Sequence, residues 1–154
     1  MTIYFLDSSA LVKRYVAETG SAWIRDLADP GAHNPLIIAR VTWIEVLSAL
    51  ARRRREGTLS ADDIAQAIQA FRHDLNVQYQ VSELDPALAE AAGELVGRHT
   101  LRAYDAIQLA SALQAQANLT QAAGPLLTFL AADDNLLAVA QAEGLLTDNP
   151  NRHP

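Results

Sequence analysis

Apolar positions along the chain fall into two patterns: short unbroken runs, and longer stretches spaced at three and four residues. The runs "TIYFLD", "PLIIAR" and "GPLLTFLA" predict buried strands. "VQYQVSEL" alternates and predicts a further strand, and "LLTD" a short last one. Between them, helical spacing marks "SSALVKRYVAE", "SAWIRDLA", "VTWIEVLSALARRRREG", "TLSADDIAQAIQAFRHDL", "DPALAEAAGELVGRH", "RAYDAIQLASALQAQANL" and "DDNLLAVAQAEG". Local signals agree. Ser60 precedes an acidic first turn, Pro86 sits at a first turn, and arginines precede Gly57 at a helix end. Strands alternating with helices imply an α/β layer fold with a mainly parallel sheet. The middle of the chain carries paired helices. No linker or repeat interrupts the pattern, so residues 1–148 read as one domain. The final "NPNRHP", residues 149–154, reads as a disordered tail.

Composition narrows the chemistry. The chain has 154 residues and a formal charge of −6, so bulk attraction to a polyanion is not its binding strategy. Any handling of nucleic acid falls to local basic patches or metal ions. There is no cysteine, which removes disulfides, thiolate metal sites and cysteine nucleophiles, and fits a reducing compartment. No signal-peptide pattern and no membrane-length apolar run occurs, so a cytoplasmic protein without membrane contact is expected.

Several carboxylates stand in apolar company. Asp7 directly follows the first strand, and Asp133 and Asp134 follow the strand "LLTFLAA". Glu45 lies among apolar residues in "VTWIEVLSAL", and Asp105 does so in "RAYDAIQLASAL". An isolated buried carboxylate is costly, and few cations lie within a helical turn of these acids, Arg102 beside Asp105 being the exception. Each acid has an ordinary reading. Asp7 and Asp133 suit helix N-caps, and Glu45 suits the rim of its stripe. Yet strand ends and helix starts in an α/β sheet share one edge, where ligands collect. A cluster of carboxylates without thiols or paired histidines suits a hard cation, Mg²⁺ or Mn²⁺.

The pieces "LDSSALVKRY", "TWIEVLSAL", "LRAYDAIQLASAL" and "FLAADDNLLAVAQAEGL" together resemble the PIN-domain ribonucleases of the VapC-like toxin type. They occur in family order and span nearly the whole chain. The stretch from Gly57 to Leu95 matches in layout only. The resemblance implies a PIN-like α/β domain with a mainly parallel five-stranded sheet flanked by helices. It implies that Asp7, Glu45 and Asp105 bind metal and are catalytic, with Asp133 as the fourth acid and Asp134 as its alternate. Where the family usually has a Ser or Thr ahead of that acid, this chain has Ala131. Ser8 is expected to support the metal-binding acids through a hydrogen bond.

The expected activity is a Mg²⁺- or Mn²⁺-dependent endoribonuclease in which metal-activated water leaves a 5′-phosphate and a 3′-hydroxyl. The resemblance further implies a cognate antitoxin and a homodimer. Arg14 and Arg102 flank acids in the sequence and are candidates for substrate phosphates. The run Arg52–Arg55 reads first as a solvated helix end, with phosphate contact the alternative. Trp23 and Trp43 fall in helical apolar patterns and read as core or interface. The four histidines show no ligand spacing. Two other classes stay open at this point. One is a phosphotransferase with Asp7 as nucleophile, although Ser9 stands where such enzymes usually carry a second Asp. The other is a catalytically degenerate module that only binds RNA or a protein.

Overall fold

The computed structural model describes all 154 residues. Five strands are formed: β1 Ile3–Leu6, β2 Leu36–Ala39, β3 Tyr79–Ser82, β4 Leu127–Leu130 and β5 Leu146–Asp148. They make one sheet in the order β3-β2-β1-β4-β5, and every pairing is parallel. Seven α-helices connect and cover it: α1 Ser8–Tyr15, α2 Ser21–Ala28, α3 Thr42–Arg55, α4 Ala61–Val77, α5 Pro86–Arg98, α6 Ala103–Gln121 and α7 Asp134–Ala142. The expected paired helices in the middle are α3 with α4 and α5 with α6. β3 begins two residues later than its alternating pattern suggests, because α4 runs on to Val77.

Parallel strands need crossover connections, and helices on both faces supply them. Two cores result. One lies under α5, α6 and α7 and stacks Phe5 on Phe129 with ring centres 5.7 Å apart. The other lies under α1 to α4 and is built around Phe71, which packs against Tyr15, Trp43 and Tyr79. The chain leaves β1 toward β2 and β3, then returns to the other side for β4 and β5. The strand order therefore reverses between β1 and β4, where a crevice opens at the strands' carboxyl ends.

The tail differs from its expected disorder. Residues 150–152 form a 3-10 turn capped by Asn149, which is buried. The His153 ring stacks on Trp23, with centroids 4.0 Å apart. Gly20 adopts φ 85°, and a Cβ there would collide with the Pro150 backbone. A bare glycine and a flat aromatic thus provide a seat for the tail, which its polar, proline-rich composition conceals. No helix is long and apolar enough to cross a membrane.

Candidate active site at the strand reversal

Asp7 closes β1 and opens α1. Its backbone is extended, and its Oδ1 accepts from the Ala10 amide at 3.0 Å and the Ser9 hydroxyl at 2.7 Å. It is therefore a true N-cap. Both bonds fall on Oδ1, so Oδ2 remains for another partner. The side chain is only 3 % exposed. Burial pushes its carboxyl up to about 7, against the pull of the Ser9 and Ala10 bonds, and the charges of Glu45 and Asp105 push the same way. The only charged groups acting strongly on Asp7 are thus other acids.

Glu45 lies in the first turn of α3, half-buried. Gln108 on α6 donates to its Oε1 at 2.7 Å, and Ser8 donates to its Oε2 at 3.2 Å. Burial raises its pKa, the Gln108 and Ser8 bonds oppose this, and Asp105 adds to the rise. Asp105 sits in the first turn of α6, and Arg102 approaches its Oδ2 at 3.3 Å. The structure therefore gathers Asp7, Glu45 and Asp105 from the ends of β1, α3 and α6 into one mutually repelling group. Ser8 supports it directly.

The remaining candidates separate. Asp133 caps α7, its Oδ1 accepting from the Asn135 and Leu136 amides. Asp134 turns away: its Oδ1 accepts from Asn149 at 2.9 Å and from Arg152 at 3.0 Å, which ties it to the tail. Arg14 is a correction. It points into the α1–α4 layer, donates to the Tyr79 hydroxyl at 2.6 Å and pairs with Asp74 at 3.4 Å. Its guanidinium is committed to that cluster and does not line the cleft. Arg102 does line it and is largely exposed. Trp43 packs in the α1–α4 core with Arg72 over its ring.

Three contributors escaped the sequence reading. Gln108 bridges Glu45 and Thr42, and its own Oε1 is buried without a partner. The signal for it was its place one turn after Asp105 on the same helix face. Ser9 donates to Asp7 while accepting from the Ala132 amide at 2.8 Å, so it joins β1 to the end of β4. The hydroxyl missing at Ala131 has a counterpart on α1. Lys13, with Glu18 and Arg53, forms the far wall of the cleft. Its position on α1, on one stripe with Ser9 and Val12, was the available signal.

The cleft holds about 600 Å³ and opens beside Ser8, Ser9, Glu45 and Ala132. A buried carboxylate without a cationic partner, surrounded by further acids, matches a hard divalent cation in charge and donor type. The donors are all oxygen. No three acidic or histidine side chains already stand spaced as a ready-made metal-ligand group. The fit is thus one of donor chemistry and charge.

Comparison with known proteins agrees with this fold. The PIN domain family model matches residues 4–142. The chain is 34 % identical over 113 residues to "Ribonuclease VapC45" of Mycobacterium tuberculosis strain CDC 1551 / Oshkosh, covering 73 % of this chain and 76 % of the relative. "Ribonuclease VapC49" of strain ATCC 25618 / H37Rv matches to the same extent. Among solved structures, Mycobacterium tuberculosis VapC20, described as a sarcin-ricin loop cleaving toxin, superposes with a TM-score of 0.62 at 18 % identity, covering 98 % of this chain and 99 % of that one. A toxin-antitoxin complex from Klebsiella pneumoniae gives 0.62 at 17 % identity, with 96 % and 97 % covered.

Proposed function

Because the chain belongs to the PIN-domain family and is related to its VapC ribonucleases, we propose that it is a divalent-cation-dependent endoribonuclease and the toxin of a toxin–antitoxin pair. The observation that carries this reading is Asp7: a buried carboxylate at the strand reversal whose charged neighbours are Glu45 and Asp105. The Ser9 and Ala10 bonds offset part of the cost of that burial, and no cation in the surroundings offsets the rest, which a bound divalent ion would do.

Asp7, Glu45 and Asp105 would hold Mg²⁺ or Mn²⁺, with Asp133 as a fourth acid near the end of β4. The ion, when bound, supplies Lewis acidity, which makes hydroxide available at neutral pH and offsets phosphoryl charge. The protein's part is positional. Ser9 and the Ala10 amide fix Asp7 at Oδ1 and leave Oδ2 for the ion. Ser8 and Gln108 hold Glu45 from two sides, so its carboxylate does not rotate freely. Asp105 shares its position with Arg102, whose exposed guanidinium is available to a substrate phosphate. Attack by water in line with the leaving 3′-oxygen leaves a 5′-phosphate and a 3′-hydroxyl.

An antitoxin is the expected protein partner. Similar folds have been solved as toxin–antitoxin complexes, which supports this, and a homodimer is the expected state of the free toxin. Action on RNA implies a cytoplasmic site of action. The test is cleavage of structured RNA by purified protein with Mg²⁺ or Mn²⁺ and with excess EDTA. Undiminished cleavage in EDTA, or a 2′,3′-cyclic phosphate end, refutes the mechanism. A trapped phosphoaspartate at Asp7 would instead establish a phosphotransferase. Intact RNA with every metal tried would leave a binding module.

A further inference from the structure

On the ribonuclease reading, we infer that Lys13, Arg52 and Arg53 form a track for the RNA phosphates flanking the scissile one, and that Glu18 occupies it as a displaceable stand-in anion.

The track starts from the period of α3. Glu45 stands near the start of that helix, and Arg52 and Arg53 follow two turns later. At about 1.5 Å per residue this separates acid from base by roughly 10–12 Å along one groove. Ser48 and Ala49, both small, line the cleft between them. α1 runs alongside and contributes Lys13, the only lysine in the chain. In a protein of net charge −6, four of its twelve Lys and Arg residues line this one cleft, against two acids. Glu45 belongs at the metal end; the cations, Arg102 apart, lie at the other, with Glu18 among them.

Glu18 lies on the connection between α1 and α2 and inserts its carboxylate among these cations. Its Oε2 is 3.3 Å from Lys13 Nζ. Its Oε1 accepts from Arg53 Nε at 3.0 Å and from a second nitrogen of the same guanidinium. The Lys13 side chain is 6 % exposed. An ammonium that deep is costly without an anion, and it has three hydrogens to donate but meets one partner. Arg52 is exposed and has only a 4.0 Å contact with Glu56. One carboxylate touching a buried Lys and a forked Arg presents what a phosphodiester presents: one negative charge and two acceptor oxygens.

Glu18 is also a partition. Glu18, Arg52 and Arg53 line both the cleft and a neighbouring cavity of about 510 Å³. Withdrawal of Glu18 joins the two into a longer groove along α3. Exchange of Glu18 for a phosphate swaps one anion for another, so the buried cation is never left unpaired. Glu18 is a quarter exposed already and returns to water at small cost. The device keeps the cations compensated in the free protein and makes RNA compete for them.

The experiment measures binding of a short labelled single-stranded RNA by fluorescence anisotropy in an Asp7→Asn background, between about 50 and 300 mM salt. Each phosphate contact contributes about −0.7 to the slope of log affinity against log salt. Glu18→Gln is expected to tighten binding about 3- to 10-fold, and Lys13→Gln and Arg52→Gln to weaken it about 5-fold each while flattening the slope by about 0.7 each. Arg52 is on the surface, so its variant keeps the test intact even where Lys13→Gln destabilises the fold. Unchanged affinity and slope in both Arg52→Gln and Glu18→Gln would reduce the cluster to a structural tie and overturn the inference. Tighter binding of polyglutamate but not of RNA by Glu18→Gln also overturns it, and assigns the track to an acidic protein segment. These readouts are independent of turnover. A wild-type protein that binds RNA as expected yet cuts none would count against the ribonuclease reading alone.

Discussion

Gln108 Nε2 donates to Glu45 Oε1 at 2.7 Å and to Thr42 Oγ1 at 2.8 Å, so one buried amide on α6 holds the acid and the first residue of α3 together. A metal-binding carboxylate needs such a support, because a freely rotating one spends its time out of register. Replacing Gln108 by Leu removes the donor and leaves Thr42 and Glu45 without it. The expected result is about a 10- to 100-fold loss of activity at low Mg²⁺, largely recovered at high Mg²⁺. The variant is also expected to lose about 1–3 kcal/mol of stability. A metal titration separates the two effects. A loss of maximal rate with an unchanged metal midpoint would make Gln108 a packing residue.

Asp7 sets a pH dependence on the metal-free fold. Its carboxyl is held up to about 7 against an ordinary value of 3.8, mainly by burial. The folded state therefore binds a proton more tightly than the unfolded chain does. The associated stability is fully present below about pH 4 and is lost as pH rises through about 7, a change of up to about 4 kcal/mol. In EDTA, the Tm is expected to fall between about pH 5 and pH 8, and Asp7→Asn to remove much of that fall. Added Mg²⁺ is expected to raise the Tm of the wild type at pH 8 and to do little for Asp7→Asn. A wild-type Tm that rises steadily from pH 5 to pH 8 in EDTA would show that Asp7 is already compensated.

Arg14 is expected to matter for stability and not for catalysis. It lies under Tyr79 and Asp74, within a cluster that also places the Tyr15 hydroxyl against both partners. Arg14→Met leaves Asp74 half-buried without its cation, which costs about 2–4 kcal/mol. Urea denaturation measures that loss. The metal requirement and RNA affinity of the folded variant are expected to match the wild type. A changed RNA affinity would return Arg14 to the substrate path.

Arg14 also shows which features the chain's pattern displays and which it hides. The strand runs, helix stripes and caps are local, so element order and an α/β sheet were readable from spacing alone. The acids were readable because Asp7, Glu45 and Asp105 each sit at an element end in apolar surroundings with little local cation. What side chains face across the fold was not. Arg14 is adjacent in sequence to Lys13, yet about 100° further round α1 it meets α4 and not the cleft. The partners Glu18 and Arg53 lie 35 residues apart, and Ser9 reaches Ala132 across 123. Likewise, the tail looks disordered until Gly20 and Trp23 are seen to receive it.

The two neighbouring acids at the start of α7 give the last contrast. Asp133 spends Oδ1 on the α7 amides and leaves Oδ2 without a hydrogen-bond partner. Asp134 spends its carboxylate on Asn149 and Arg152 of the tail. Asp133→Asn preserves the cap, since Asn caps as well as Asp, but removes a charge. It is expected to shift the Mg²⁺ midpoint of RNA cleavage upward by about 10-fold or more, with little change in Tm. Asp134→Asn is expected to leave the midpoint in place and to loosen the tail. This is read as faster exchange of the amides of residues 149–153, and as a lost His153 ring shift from Trp23, in NMR spectra. Deleting residues 149–154 is expected to reproduce the stability effect of Asp134→Asn and enlarge it, because Trp23 and the Gly20 backbone then face water. If instead Asp134→Asn raises the metal midpoint while Asp133→Asn does not, the fourth acid is Asp134. The tail would then be a competitor for it: Arg152 would have to release the carboxylate before an ion binds, and deletion of the tail would tighten Mg²⁺ binding.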